Sequence, residues 1–111
     1  MPHSIGDCAS LETLELSKND LRMFPPTFGN LVKLTKLALN ENQIQTIPAL
    51  FGSLKALKDL SINKNKIANI EGDALGALSS LTMLDLSQNK LTHFESIPKS
   101  EVLDSLLLSF N

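Results

Sequence analysis

Tryptophan and tyrosine are absent from this 111-residue chain, and cysteine occurs once. A single cysteine excludes an internal disulfide and a Cys-rich zinc site. Without Trp or Tyr there is little to stack on nucleic-acid bases. Basic charge is also short. Lys and Arg total 10 against 12 Asp and Glu, a net charge of −2, which argues against a polyphosphate partner that wants a basic face. Lys64 and Lys66 form the one short basic cluster, and the intervening Asn65 makes it read as a solvated turn. No apolar run approaches the roughly 18–20 residues of a membrane span, so no membrane insertion is expected. The Met1 end lacks a basic segment followed by an apolar stretch, so it does not read as a secretory signal.

What the chain has in excess is leucine, 22 residues, and asparagine, 9 residues. Such a bias points to an internal repeat, and one is present. Leu11, Leu14, Leu16, Asn19 and Leu21 form L-x-x-L-x-L-x-x-N-x-L. The frame returns as Leu34, Leu37, Leu39, Asn42, Ile44, then as Leu57, Leu60, Ile62, Asn65, Ile67. It returns again as Leu81, Leu84, Leu86, Asn89, Leu91, and a last copy runs from Leu103 through Leu106 and Leu108 to Asn111. The asparagines at 19, 42, 65, 89 and 111 are therefore 23, 23, 24 and 22 residues apart.

The second half of each unit also repeats. Phe24-Pro25-x-x-Phe28-Gly29-x-Leu31 matches Ile47-Pro48-x-x-Phe51-Gly52-x-Leu54. On these residues the chain resembles the leucine-rich repeat family, over nearly its whole length. The two units are similar to the 23-residue intracellular class of Ras-suppressor and scribble-type scaffolds. The third unit, Ile70-Glu71-Gly72-Asp73-Ala74-Leu75-Gly76-x-Leu78, has no Pro and one extra residue, closer to the 24-residue units of extracellular and Toll-like receptors. In the fourth, Ser100 replaces the Leu of Leu31, Leu54 and Leu78. The resemblance implies an α/β solenoid, a curved right-handed coil with a parallel β-sheet on its concave face and loops, 3-10 turns or short helical turns on its convex face.

The expected organisation is 1–10 as the second half of a truncated unit, then repeats at 11–33, 34–56, 57–80 and 81–102, and a truncated fifth at 103–111. Residues 1–10 belong to the pattern, because Ile5 precedes Leu11 by the same six residues that separate Phe28 from Leu34. The chain thus reads as a segment of a longer array without polar caps, which solenoids normally need for solubility. The alternative is that free ends pair with another copy.

Each unit is expected to open with a half-buried strand. In Thr13-Leu14-Glu15-Leu16-Ser17 the leucines point inward and Thr13, Glu15 and Ser17 outward. Stacked units pair these strands in parallel about 4.8 Å apart. Bulkier segments behind them force curvature, with the strands on the inside of the bend. Buried at a turn, an Asn amide satisfies backbone groups the turn leaves unpaired, and the family resemblance implies a ladder of such residues at Asn19, Asn42, Asn65, Asn89 and Asn111. Phe24, Ile47, Ile70 and Phe94 are expected to stack as one core column, and Ile5, Phe28, Phe51, Leu75 and Ile97 as another. Pro2, Pro25, Pro48 and Pro98 suit a segment outside the strand ladder, since Pro donates no hydrogen bond.

Catalysis needs convergent titratable groups, and none are evident. His3 and His93 lie nearly four units apart, too far to share a metal. Cys8 occupies the column of Leu31, Leu54 and Leu78, so a buried thiol is expected. Asp59 and Asp85 fall in different columns, too isolated for a cation cage. There is no G-x-S-x-G, P-loop or G-x-G-x-x-G. No enzyme, cofactor or metal is expected.

The concave face remains as the place for function. Its columns read Thr13, Lys36, Asp59, Met83, Ser105; then Glu15, Ala38, Ser61, Asp85, Leu107; then Ser17, Asn40, Asn63, Ser87, Ser109. Lys36 stands beside Asp59 and diagonal to Glu15, either as a partner-reading trio or as cross-strand charge balance on a wet sheet. Met83 and Leu107 are apolar where polar is expected, and Phe110 joins the column of Lys18, Glu41, Lys64 and Gln88, which suggests an apolar contact surface near the C-terminal end. The expected function is a protein-interaction module with a scaffold or signalling role and another protein as partner. The rivals are a segment of a receptor ectodomain and a self-assembling structural unit that associates through uncapped ends. The absence of an N-x-S/T sequon and of paired Cys caps favours the cytosol over an extracellular origin.

Overall fold

The computed structural model describes residues 3–92 and 105–107. Five short strands form one parallel sheet. They are β1 (Thr13–Glu15), β2 (Lys36–Ala38), β4 (Asp59–Ser61), β6 (Met83–Asp85) and β7 (Ser105–Leu107), neighbours in that order. Two further strands, β3 (Thr46–Ile47) and β5 (Asn69–Ile70), pair in parallel as a second sheet. The register follows the repeat: Leu14 pairs with Leu37, Leu37 with Leu60, Leu60 with Leu84 and Leu84 with Leu106. The architecture is a leucine-rich repeat solenoid with 3-10 turns, as expected from the sequence.

The strands are short because each coil must turn at once. After β1, β2, β4 and β6 a non-glycine residue adopts the left-handed conformation: Lys18, Glu41, Lys64 and Gln88, at φ 60°, 57°, 55° and 57°. Such a residue carries a steric penalty of about 1–2 kcal/mol, which the coil stacking must offset. Three of these residues donate their backbone N–H across the coil boundary: Lys18 to Asn40 O at 2.9 Å, Glu41 to Asn63 O at 2.9 Å and Lys64 to Ser87 O at 3.1 Å.

Opposite the main sheet, 3-10 helices run over His3–Asp7, Pro26–Asn30 and Ala49–Ser53. Pro25 and Pro48 lead into the latter two with φ of −66° and −75°, the angle the pyrrolidine ring sets in advance. Gly6 packs so closely on Thr27 of the next coil that a Cβ there would collide with its side chain. The third coil absorbs its extra residue differently. Gly72 turns at φ +52° with nothing within 4 Å of a virtual Cβ, and residues 72–77 form turns rather than a 3-10 helix. Leu75 and Leu78 still reach the core.

The core consists of the frame positions stacked coil on coil. Leu37, Leu60 and Leu84 are buried, as are Leu39, Ile62 and Leu86, and Ile44, Ile67 and Leu91. Phe28 and Phe51 stack at 5.7 Å, and Phe24 meets both at 5.0 Å. Ile47 is buried, while Ile70 is partly exposed. In the first described coil the equivalent Ile5, Leu11, Leu14, Leu16, Leu21 and Phe24 are only partly buried. A coil packed on one side leaves its other side open to solvent. The same fact corrects one expectation. Cys8 is exposed, because the Leu column it enters is sealed only where coils stand on both sides. Pro2, His93, Phe94, Ile97, Pro98, Ser100, Ser109, Phe110 and Asn111 lie outside the described residues.

Candidate functional site

The main sheet carries the expected columns. Its register sets Thr13 beside Lys36, Lys36 beside Asp59, Asp59 beside Met83 and Met83 beside Ser105. Thr13 and Lys36 are exposed, and Asp59 and Met83 are partly exposed. The structure therefore brings Lys36, Asp59 and Met83 together on three adjacent strands, with their side chains accessible. In the second column Glu15 is exposed and Ser61 partly so, but Ala38 and Asp85 are each only 9% exposed. In the third, Ser17, Asn40 and Asn63 are partly exposed and Ser87 is buried. Strands drawn together on the inside of the bend shield small side chains, so Ala38, Asp85 and Ser87 are less open than strand alternation implies.

These two columns are linked by hydrogen bonds that run across four coils. Glu15 Oε1 accepts the Ser17 N–H at 2.8 Å, and Ser17 Oγ accepts the Asn40 N–H at 3.1 Å. Asn40 Oδ1 accepts both the Ser61 hydroxyl at 2.7 Å and the Asn63 N–H at 2.9 Å. Asn63 Nδ2 donates to Asp85 Oδ2 at 2.8 Å, and Asp85 Oδ1 accepts the Ser87 N–H at 3.0 Å and hydroxyl at 2.5 Å. Burial pushes the Asp85 carboxyl up, but the Ser87 hydroxyl, the Asn63 amide and the Ser87 N–H together outweigh it, and the net shift is downward. Ser17, through its hydroxyl and its N–H, holds Glu15 below the ordinary carboxylate value, and Lys36 adds a smaller pull. This rail was missed at the level of sequence. Its signal was the Ser or Asn at every strand exit, which alternation alone reads as solvated.

Behind the rail lies the asparagine ladder. Asn42 Oδ1 accepts the Asn19 and Leu21 N–H groups, both at 3.1 Å, and Asn42 Nδ2 donates to Leu16 O and Leu39 O at 3.0 Å. Asn65 accepts the Ile44 N–H at 3.1 Å and donates to Leu39 O at 2.9 Å. Asn89 accepts the Ile67 N–H at 3.0 Å and donates to Ile62 O at 2.9 Å. Each of the three therefore ties its own turn to the preceding coil, and each is buried. Asn19 differs: it is exposed and its side chain donates only within its own turn, to Leu16 O and Ser17 O.

Among the described residues no group of three or more His, Cys, Asp or Glu side chains is placed to hold a metal ion. No helix among them is long and apolar enough to cross a membrane. A shallow depression of about 470 Å³ lies away from the concave face, lined by residues that include Arg22, Met23, Thr46 and Glu71. Met23 beside it is 79% exposed.

The family model described as "Leucine rich repeat" matches residues 9–67 and 55–111. The chain belongs to the leucine-rich repeat family. Among solved structures, this repeat array is similar to a leucine-rich repeat protein of Leptospira interrogans, with 35% identity, a TM-score of 0.86, and coverage of 97% of this chain and 28% of that one. It is also similar to the plant peptide hormone receptor RGFR1, solved in complex with RGF2, with 31% identity, a TM-score of 0.85, and coverage of 97% and 18%. The chain thus spans less than a third of the length of either leucine-rich repeat neighbour. No curated protein matches it by sequence.

Proposed function

We propose that the concave sheet of this chain binds another protein, in a scaffold or signalling role and without catalysis of its own. The observation that carries this reading is the accessible set Lys36, Asp59 and Met83, a cation, an anion and an apolar side chain on three neighbouring strands. They stand on strands backed by a buried leucine core and beside a hydrogen-bonded rail, so little backbone freedom is lost when a partner docks. Affinity in such a surface rests on a few anchors within a larger complementary area. A cytosolic location is part of the proposal, supported by the absence of an N-x-S/T sequon and of paired cysteines from the sequence.

A photo-crosslinking side chain placed at position 83 on the concave face and, separately, at position 32 in the turn that follows the second 3-10 helix tests the surface. Val32 is 52% exposed, so both sites are open to solvent. Adducts from position 83 and none from position 32 are expected in cells that produce the protein. The reverse pattern would move the binding surface to that turn. A second reading, a segment of a receptor ectodomain that senses a ligand, is supported by the likeness to RGFR1. Upstream sequence with a signal peptide and a Cys-paired cap would favour it.

A further inference from the structure

The two asparagines of the rail each leave one side-chain group unspent, and the chemistry of the two is opposite. Asn40 Oδ1 is held by two donors, the Ser61 hydroxyl and the Asn63 N–H. Turning that amide over would forfeit the bond from the Asn63 N–H and set donor against donor there. Its Nδ2 is thereby fixed as the free end. Asn63 is held the other way round, because its Nδ2 donates to the Asp85 carboxylate, an acceptor only, which leaves Oδ1 as the free end. Neither Asn40 Nδ2 nor Asn63 Oδ1 bonds to another described residue. No buried side-chain N or O atom among the described residues lacks a hydrogen-bond partner, so both atoms reach solvent.

We propose that this pair reads the main chain of an extended peptide lying across the concave face, with Asn40 Nδ2 donating to a peptide carbonyl and Asn63 Oδ1 accepting from a peptide N–H. The proposal deepens the reading of the concave sheet as a binding surface and rests on it. One edge of an extended chain projects C=O and N–H groups in the same direction, and Asn40 and Asn63 occupy neighbouring coils, about 4.8 Å apart. A folded partner presents few unpaired main-chain groups, because its own ladders use them. An extended segment has all of them to spare. Ala38 lies in the column beside Asn40 and is small enough to let a backbone approach. Lys36, Asp59 and Met83 then meet the side chains of the segment and supply selectivity, while the two amides grip whatever the sequence.

The test starts from a displayed library of unstructured 12-residue peptides, selected on the whole chain. Each selected peptide is then remade with single backbone esters, which delete one N–H donor at a time. One ester is expected to weaken binding about three- to tenfold to the wild-type chain, and to have no further effect on Asn63→Ala. Asn40→Asp keeps the acceptor that Ser61 and Asn63 need but replaces the free donor, so it is expected to weaken every selected peptide while the melting temperature holds. Peptides that lose binding on Asp59→Lys but show no ester coupled to Asn63 overturn the main-chain proposal and leave the binding surface standing. Peptides indifferent to Asp59→Lys, Asn40→Asp and Asn63→Ala alike overturn both. A library that yields no binder overturns the extended-peptide proposal in favour of a folded partner.

Discussion

Two asparagines at the same repeat position differ only in whether a coil precedes them, and that difference predicts a measurable gap in stability. Asn65 is buried, accepts the N–H of fully buried Ile44, and donates to Leu39 O, Ile62 O and Asn63 O. In Asn65→Ala, Leu39 O retains a donor from Asn42 and Ile62 O retains one from Asn89. The Ile44 N–H retains none. An orphaned buried donor costs about 1–3 kcal/mol, and the lost donated bonds add about 1 kcal/mol more, for a total near 3 kcal/mol. Asn19 donates to Leu16 O and Ser17 O in an exposed turn, Leu16 O keeps Asn42 as donor, and water serves the rest. Asn19→Ala is expected to cost less than about 1 kcal/mol. With a urea slope of about 2 kcal/mol/M, the Asn65 variant should unfold roughly 1.5 M earlier than wild type and the Asn19 variant within roughly 0.5 M of it. Both variants should retain the wild-type slope. Equal midpoint shifts would show that the amides act within their own turns and that the bonds between coils contribute little.

Other substitutions probe the remaining parts. Leu60→Ala, at a fully buried position of the middle strand, should cost about 2–5 kcal/mol in the same urea titration. Lys64→Gly relieves the left-handed strain at φ 55° and should raise stability by about 0.5–1 kcal/mol, net of the added freedom of the unfolded glycine; a loss instead would mean the Lys64 side chain contributes more than its backbone costs. Asp85 has a folded-state pKa below its unfolded value, so the stability it contributes is full above about pH 4 and is lost as pH falls through the folded value. The stability gap between wild type and Asp85→Asn should therefore be constant near neutrality and close below about pH 4, and a gap that widened there would reverse the assigned sign. Light scattering across a wide concentration range addresses stacking through the half-buried apolar side of the first coil, and a monomer at all concentrations removes that assembly route.

The fold was legible because every coil solves the same packing problem with the same residue types. Leu14, Leu37, Leu60 and Leu84 share a strand position, and strand register follows once the coils stack. The extra residue of the third unit was also visible, and Gly72 shows how a left-handed glycine turn absorbs it without moving Leu75 or Leu78 from the core. The burial of Cys8 was misjudged for a physical reason. A column position states which way a side chain points, whereas burial depends on how many coils flank it. Asn19 shows the same effect, with the residue type of the ladder and the exposure of an edge.

The concave face was legible only as a set of columns, because alternation assigns direction one strand at a time and cannot show what adjacent strands do to each other. Glu15, Ser17, Asn40, Ser61, Asn63, Asp85 and Ser87 are each ordinary solvent-facing residues when taken alone. Placed about 4.8 Å apart by the stacking, they bond into one row, and the row decides which amide atoms are free. Lys36, Asp59 and Met83 stand in the neighbouring column outside that row, so they can change with little effect on the fold. A surface divided in this way can alter its partner by substitution in one column while the other keeps its shape. Exchanging Lys36 and Asp59 should therefore change which partner is bound, with the melting temperature held, whereas exchanging Asn63 and Asp85 should lower the melting temperature first.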